Sequence, residues 1–287
     1  MRADRPRRSA LYVPGANARA LEKARALPAD AVILDLEDAV APAAKDAARA
    51  QALAALAAGD WRAERILRVN GAGTPWHGAD VAAAARSGAD AVCLPKAESP
   101  EGVRAVAEAL AREGAPESLA LWVMIETPRG VLAARELAAA TPRLACLVAG
   151  TTDLVKELRA VHTPGRAEVL TSLSLLLLAA RANGLAALDG VFLDLANGAG
   201  FEAACRQGRE LGFDGKTLIH PSQLEPANRI FAPTADELEA ARRVVAAHAE
   251  AVANGRGVAV VDGRLVEALH VAEAERLLKL AEAIGAG

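Results

Sequence analysis

Short, predominantly apolar runs alternate with longer alanine-rich stretches along most of the chain. A run of about four to eight such residues is typical of a strand that is buried on both faces of a parallel sheet. Runs of this kind lie at residues 10–13, 31–36, 65–69, 91–94, 119–125, 144–149, 188–193 and 216–219. Stretches that predict helices lie between them, for example at residues 18–26, 42–57, 79–87 and 100–113.

Eight strand–helix units within roughly 230 residues match the spacing of a (β/α)8 TIM barrel, an α/β fold. A doubly wound open sheet is the alternative, because periodicity does not show whether a sheet closes. The sequence therefore predicts a barrel domain over residues 1–232.

The pattern changes after Phe231. Residues 234–253 predict one long helix, with Thr234 as N-cap and Glu237 completing a capping box. A short apolar segment, a turn at Asp262 and Gly263 and a last helix from about Val271 follow. We expect residues 233–287 to form a helical extension that packs on the barrel or on a neighbouring subunit.

Composition and charge narrow the class of protein. The chain has 287 residues and a net charge of −3, which argues against a nucleic-acid partner. Its three cysteines (Cys93, Cys146 and Cys205) predict buried free thiols in a reducing cytoplasm. The basic N-terminus lacks the apolar segment of a secretory signal, and the most apolar run, residues 173–180, is too short to span a bilayer. We therefore expect a cytoplasmic protein with no membrane partner.

Two predicted strand ends carry carboxylates that could share a metal ion. Glu126 follows the buried run that ends at Ile125, and Asp153 follows the run that ends at Ala149. Neighbouring strand ends lie about 4.8 Å apart, so the two carboxylates repel each other unless a cation lies between them. Mg²⁺ held by one or two carboxylates and by waters is the simplest answer. A helix-capping or salt-bridged role for Glu126 is the alternative.

Three acids lie within four residues at the second strand end: Asp35, Glu37 and Asp38. A strand end this acidic needs a metal ion or basic partners. Arg68, at the third strand end, suits a carboxylate ligand, or else pairs with these acids. His220 ends the eighth strand, where we interpret it as a structural residue.

Basic residues lie near the first and fourth strand ends. Lys96 could act as a Schiff-base nucleophile or form a salt bridge with Glu98 or Glu37. The acidic surroundings should keep its ammonium group charged, which disfavours the nucleophile. Arg19 and Lys23 share one face of the first helix, which suits a phosphate-bearing ligand or a solvated basic surface.

Eight segments in order carry a resemblance to a known family: ALYVPGAN, ILDLEDAV, LRVNG, LPKAES, IETPRG, GTTDL, ALDGV and LGFDGKTLIHPSQ. The chain resembles the citrate lyase β-subunit-like proteins from Ser9 to about Leu278. These form the acyl-CoA lyase branch of the HpcH/HpaI aldolase superfamily, which includes malyl-CoA and citramalyl-CoA lyases.

The resemblance implies a TIM barrel, a homotrimer or higher homo-oligomer, and a C-terminal extension that reaches a neighbour's active site. It assigns Glu126 and Asp153 as Mg²⁺ ligands and Arg68 as the residue that binds the substrate acyl group. The other residues that it implicates surround the metal and Lys96 (Asp35, Glu37, Asp38), contact coenzyme A (Tyr12, Arg19, Lys23) or lie near the same ligand (Asp194).

The implied activity is Mg²⁺-dependent cleavage of a carbon–carbon bond in a 3-hydroxyacyl-CoA of the malyl-CoA, citramalyl-CoA or β-methylmalyl-CoA type. The products are a 2-oxo acid and acetyl-CoA or propionyl-CoA, and Arg68 stabilises the enolate. Alternatives are a thioesterase on the same ligands, a citrate lyase β-subunit acting on an acyl-carrier-protein thioester, and a class II aldolase on free aldols.

Three positions depart from the pattern of this family. Thr152 replaces an acid that many relatives have before the metal aspartate, and Asn197 replaces an aspartate after the seventh strand. Glu267 stands where relatives often have an aspartate that is thought to act as acid or base. Hydrolysis needs a water activated by Glu267 or by one of the acids at residues 35, 37 and 38. The segment 150–176 looks closest to relatives that handle malyl-CoA-type esters.

Overall fold

The structure, a computed structural model, describes residues 5–285. These residues divide into two compact units. One spans residues 7–231, and the other comprises residues 232–285 together with residues 5 and 6.

Eight parallel strands form a closed barrel in the first unit. Each strand pairs with the next along the chain, and the eighth pairs with the first, which confirms the predicted TIM barrel and excludes the open sheet. The strands are β1 Ser9–Pro14, β2 Ala31–Asp35, β3 Glu64–Arg68, β4 Ala91–Leu94, β5 Ala120–Ile125, β6 Leu144–Ala149, β7 Ala186–Asp189 and β8 Gly215–Leu218.

Helices follow the strands and cover the outside of the barrel. They are α1 Ala18–Ala24, α2 Lys45–Ala57, α3 His77–Ala84, α4 Pro100–Arg112, α5 Pro128–Leu132, α6 Ala134–Ala138, α7 Thr151–Glu157, α8 Leu170–Ala182, α9 Gly198–Leu211 and α10 Leu224–Phe231. Short 3-10 turns lie at Pro42–Ala44 and Pro221–Gln223. The predicted α-helices after β1, β2, β3 and β4 are thus confirmed within a few residues.

The predominantly apolar runs are explained by two separate core layers. In β5, Trp122 and Met124 lie inside the barrel, whereas Leu121 and Val123 pack between the strands and the helices. Side chains alternate between these layers along each strand, so both faces of the barrel wall must be apolar.

The seventh strand was predicted wrongly as residues 188–193. It ends at Asp189, which is buried and forms ion pairs with Lys216 of β8 and with Arg166. Gly190 follows, and a Cβ there would lie 2.4 Å from a side-chain oxygen of Thr151. The apolar residues beyond Gly190 belong to a loop and not to a strand. Among them, Phe192 packs its ring against that of Phe201 in α9.

The second unit contains two helices and a hairpin. Helix α11 spans Ala235–Ala253, and both hydrogen bonds of the predicted capping box between Thr234 and Glu237 are present. Strands β9 (Ala259–Val261) and β10 (Arg264–Val266) are antiparallel. The predicted turn between them has positive φ at Asp262 and Gly263, as a tight hairpin requires. Helix α12, Ala268–Gly285, begins slightly earlier than predicted and packs on α11.

Within residues 5–285, no helix combines the length and the apolar character that crossing a membrane requires.

Candidate active site

Alternation along the strands brings the candidate residues to one mouth of the barrel. Trp122 and Met124 line the interior, and Glu126 continues this series one step beyond β5. In β3, the side chain of Ile66 faces the barrel interior. Arg68, two residues later and the last residue of the strand, faces the same way. The same alternation places Tyr12 of β1 and Asp35 of β2 on the inner face.

Glu126 is held in one orientation from two sides. Its Oε1 accepts a 2.6 Å hydrogen bond from the backbone N–H of Lys96, and the residue is only 2% exposed. On the other side lies Gly150, where an added Cβ would be 2.2 Å from the Cβ of Glu126 and 2.5 Å from its Oε2. Any side chain at position 150 would therefore displace the carboxylate.

Lys96 links the acids that the sequence had grouped. Its Nζ lies 2.5 Å from Oε1 of Glu37, 3.6 Å from Oδ1 of Asp38 and 3.9 Å from Oδ2 of Asp153. Partial burial alone would lower the pKa of Lys96, but the hydrogen bond to Glu37 and the surrounding carboxylates raise it. The ammonium group therefore stays charged, in agreement with the interpretation that disfavoured a Schiff base.

Arg68 is fixed by its neighbours. Its Nε and Nη2 each donate a 2.7 Å hydrogen bond to one oxygen of Asp35, and its guanidinium lies 4.7 Å from the ring centre of Tyr12. Its Nη1 donates to the sulfur of Met124 at 3.7 Å and lies 3.0 Å from Oε2 of Glu37. The predicted pairing of Arg68 with the acids is thus present in the structure.

Burial and mutual repulsion destabilise the ionised acids. Burial is the main cause that raises the pKa of Glu126 to about 7, and the charge of Glu37 adds to it against the opposing effects of Lys96 and Arg68. The pKa of Glu37 is raised for the same main reason, although Arg68 and Lys96 oppose the shift. These carboxylates would be stabilised by an additional cation.

The available oxygens suit a hard dication. Among residues 5–285, nothing donates a hydrogen bond to Oε2 of Glu126, and Oε2 of Glu37 is buried without a hydrogen bond despite its short contact with Arg68. The side chain of Asp153, in the first turn of α7, is 30% exposed. No group of three or more His, Cys, Asp or Glu side chains in that range is arranged to hold a metal. Two carboxylates with open coordination positions are the arrangement typical of an ion that keeps several waters.

A family model described as HpcH/HpaI aldolase/citrate lyase matches residues 8–221. The chain belongs to this family. It is 50% identical to a (3S)-malyl-CoA thioesterase of Cereibacter sphaeroides over 98% of the chain and 96% of that protein. It is 39% identical to the citrate lyase subunit beta of Escherichia coli over 99% of the chain and 96% of that protein.

A solved structure of this family carries ligands. It is protein CitE from Mycobacterium tuberculosis in complex with magnesium, acetoacetate and coenzyme A. It is 33% identical to this chain, with a TM-score of 0.76, and the match covers 98% of this chain and all of that one. The membership of an aldolase and citrate lyase family identifies this chain as an enzyme.

Several predicted residues are exposed to solvent. Arg19 and Lys23 are exposed on α1, and neither forms an ion pair with any residue in the described range 5–285. Asp194, which directly follows the predicted strand 188–193, lies five residues beyond the observed end of β7; it is exposed and accepts a hydrogen bond from the N–H of Ala196. Glu267 belongs to the second unit, where it is exposed and its N–H donates to His270.

The remaining predictions concern local structure. Tyr12, expected from the resemblance to contact coenzyme A, lies beside Arg68, and its hydroxyl donates to the sulfur of Met124 at 3.6 Å. Asn197 caps α9, and Thr152 is exposed in α7. His220 caps the second 3-10 turn, where its Nδ1 accepts a hydrogen bond from the N–H of Ser222, a structural role as interpreted.

Two groups of residues were missed by the sequence reasoning. Met124 contacts both Arg68 and Tyr12, and its position two residues before Glu126 could have indicated the same inner face. Asp189 and Lys216, paired at 2.8 Å within the barrel wall, carry no sequence signal of their own, since the pair depends on the register of β7 against β8.

Proposed function

We propose that this protein is a Mg²⁺-dependent enzyme that hydrolyses the thioester of a malyl-CoA-type 3-hydroxydicarboxyl-CoA. The decisive support is the 50% identity to a (3S)-malyl-CoA thioesterase along nearly the whole chain, combined with a mouth of the barrel in which acids outnumber bases. The sequence resemblance had favoured carbon–carbon cleavage, with hydrolysis as the alternative.

We assign Glu126 and Asp153 as the protein ligands of Mg²⁺. When bound, the ion supplies Lewis-acid polarisation of the substrate oxygens. Arg68 provides a fixed positive group beside them, because Asp35 and Tyr12 prevent its guanidinium from turning away. A rigid cation at this point suits either the distal carboxylate or the developing negative charge on the thioester carbonyl oxygen.

Glu37 is the best candidate for the base that takes a proton from the attacking water. Both oxygens of Asp35 are occupied by Arg68 and by the backbone N–H groups of Glu37 and Ala39. Glu37, by contrast, has one oxygen without a hydrogen bond and a raised pKa, which makes it a stronger base than an ordinary carboxylate. Asp38 is more than half exposed, and its contacts with Arg68 and Lys96 are both 3.6 Å long.

A second candidate function is carbon–carbon cleavage of the same ligand. The observation that favours it is the 39% identity to a citrate lyase β-subunit, together with the family itself. The two reactions share the ligand and the predicted metal site and differ in which bond breaks.

The products of (3S)-malyl-CoA distinguish these functions. Hydrolysis consumes one water and yields malate and free coenzyme A, whereas carbon–carbon cleavage yields the 2-oxo acid glyoxylate and acetyl-CoA. We expect equal amounts of malate and free thiol, no glyoxylate, and suppression by EDTA that Mg²⁺ reverses. Glyoxylate without free thiol would establish the lyase instead, and an EDTA-resistant reaction would contradict the metal assignment.

The proposed residues can be ranked in the same assay. E126Q should abolish activity because it removes a metal ligand, and E37Q should lower kcat more than D38N if Glu37 is the base. Equal losses in E37Q and D38N would contradict the assignment of Glu37.

We also propose that coenzyme A contacts Tyr12, Arg19 and Lys23. We further propose that the enzyme is cytoplasmic and forms a homotrimer or a higher homo-oligomer. In this assembly, Glu267 and the residues around it complete the site of a neighbouring subunit. Light scattering after size exclusion measures the assembly. A monomer with full activity would contradict this expectation.

A further inference from the structure

The backbone of Lys96 adopts a conformation that is unusual for a residue with a side chain. Its φ is +49°, in the left-handed region, and within residues 5–285 only Asp60, Arg159, Arg166 and Asp262 share this property among residues other than glycine. The left-handed region is disfavoured when a Cβ is present, so such residues often mark a functional constraint. Lys96 lies in the loop directly after β4, at the mouth of the barrel that carries the acids.

This conformation lets one residue hold two acids with different groups. The backbone N–H of Lys96 donates to Oε1 of Glu126 at 2.6 Å, while its Nζ donates to Oε1 of Glu37 at 2.5 Å. The two acids follow different strands, β5 and β2. The side chain therefore extends toward β2, and the backbone amide points toward β5.

The loop that carries Lys96 is packed tightly against α5, the helix that follows β5. A Cβ on Gly130, in α5, would lie 2.6 Å from the backbone oxygen of Ala97. Gly150 closes the other side of Glu126. The carboxylate is thus confined between the amide of Lys96 and the backbone at Gly150, and only Oε2 is left without a hydrogen bond among the described residues.

We infer that the left-handed backbone of Lys96 is a positioning device for Glu126, separate from the charge of its ammonium group. The amide occupies Oε1 and turns Oε2 toward the cation site. This inference rests on the proposed function, since it takes Glu126 to be a metal ligand. Lys96 is accordingly a positioning residue and not a catalytic one.

A pair of substitutions separates the backbone effect from the charge effect. K96N and K96V both remove the ammonium group and have side chains of similar size. Asparagine tolerates the left-handed region, whereas β-branched valine strongly disfavours it. K96G, which adopts this conformation freely, serves as the uncharged reference.

The measurement is the affinity for Mn²⁺ alone, which prefers the same oxygen ligands as Mg²⁺ and is detected by electron paramagnetic resonance. We expect K96N to bind Mn²⁺ within about threefold of K96G and K96V to bind at least about fivefold more weakly, given the cost of a left-handed residue with a Cβ. Equal affinities of K96N and K96V would overturn the inference. If K96V does not fold, K96A against K96G is the milder pair, with the same direction expected and the same outcome counting against it.

Failure of the inference and failure of the proposed function give different results. If wild-type protein binds Mn²⁺, E126Q does not, and K96N equals K96V, the metal site stands and the positioning role of the backbone is wrong. If E126Q binds Mn²⁺ as tightly as wild type, the metal assignment itself is wrong. Thermal unfolding of each variant reports whether the barrel is intact.

Discussion

The two ends of the barrel use charged residues in opposite ways. At the end where the strands begin, Arg7 and Glu64 form a buried pair with hydrogen bonds of 2.7 and 2.9 Å, and Arg7 also lies 5.3 Å from the ring centre of Trp122. Arg8 pairs with Asp30 in the same way. At the end where the strands finish, five carboxylates share two cations: Asp35, Glu37, Asp38, Glu126 and Asp153 surround Arg68 and Lys96.

We interpret this difference as one between charges that stabilise the fold and charges that belong to the proposed ligand site. Where acids and bases are matched one to one, each buried charge is compensated inside the chain. Where acids are in excess, the remaining negative charge has to be compensated from outside, and a divalent cation does this most directly. Charge balance, and not the number of charged groups, therefore indicates which end is the site.

The largest expected effect comes from breaking a buried ion pair at the end of the barrel where the strands begin. E64Q removes the carboxylate that accepts two hydrogen bonds from Arg7, and a broken buried pair typically lowers the free energy of unfolding by about 3–5 kcal/mol. Chemical denaturation measures this loss, while kcat of the folded fraction should not change. E113Q, which breaks the exposed pair with Arg86, is the control and should cost less than about 1 kcal/mol. A stable E64Q would mean that this end does not depend on the pair.

The next effect tests the shape of the site. G150A places a Cβ 2.2 Å from the Cβ of Glu126, so the carboxylate has to move. We expect activity to fall by about 100-fold or more, as misplacing a catalytic group by about 1 Å can do. G78A, in helix α3, is the matched control because its added Cβ meets nothing within 4 Å. Equal activities of G150A and G78A would contradict the confinement of Glu126.

In protein freed of metal by EDTA, the free energy of unfolding should depend on pH because of Glu126, at the end of the barrel where the strands finish. The pKa of Glu126 is raised to about 7 in the folded state, above its ordinary value of 4.5 in the unfolded chain. The folded state therefore binds the extra proton between these values, and stability falls as pH rises from 4.5 to 7. The difference in unfolding free energy between wild type and E126Q should decrease by about 2–3 kcal/mol across that range. A difference that is independent of pH would show that Glu126 titrates normally.

Asp189 shows the opposite sign of pH dependence. Burial would raise its pKa, but Lys216 and Arg166 outweigh burial and lower it. Its contribution to stability is therefore present above its ordinary pKa of 3.8 and is lost only as pH falls further. The two buried acids should thus affect stability in separate pH ranges.

The smallest effect concerns the exposed bases of α1. R19A and K23A should raise KM for the coenzyme A ester by a few-fold without changing kcat, because exposed charges in salt solution contribute about 1 kcal/mol or less each. The effect should shrink as ionic strength rises. E22Q, on the same helix, is the control and should leave KM unchanged or lower it. A loss of kcat in R19A or K23A would point to a structural role.

Most of the fold was predictable because both core layers are built from short apolar runs that are visible in the sequence. Runs that are apolar on both faces defined seven of the eight strands within a residue or so, as with Ala91–Leu94. The seventh failed because Ala186 and Ala187 are weak strand formers, whereas the apolar residues 191–193 after Gly190 look more like a strand. Its true end is fixed by the contact of Asp189 with Lys216, which only the assembled barrel shows.

The candidate site was predictable in composition but not in arrangement. Strand ends placed Glu126, Arg68 and the acids after β2 at one mouth, and the structure brings them together through Lys96. The sequence could not show that Lys96 contacts Glu126 through its backbone, since that contact depends on the path of the loop after β4 in the assembled barrel. Nor could it show why position 150 is glycine, because the reason is a neighbouring strand's side chain.

The burial of Cys93, Cys146 and Cys205 has a practical consequence for studying this enzyme. A chromogenic disulfide reagent in the assay mixture would react at once with coenzyme A released from a thioester, but not with sulfur atoms enclosed in an intact barrel. Colour would thus report turnover while the protein is native, and a delayed second increase on heating would time the opening of the barrel itself.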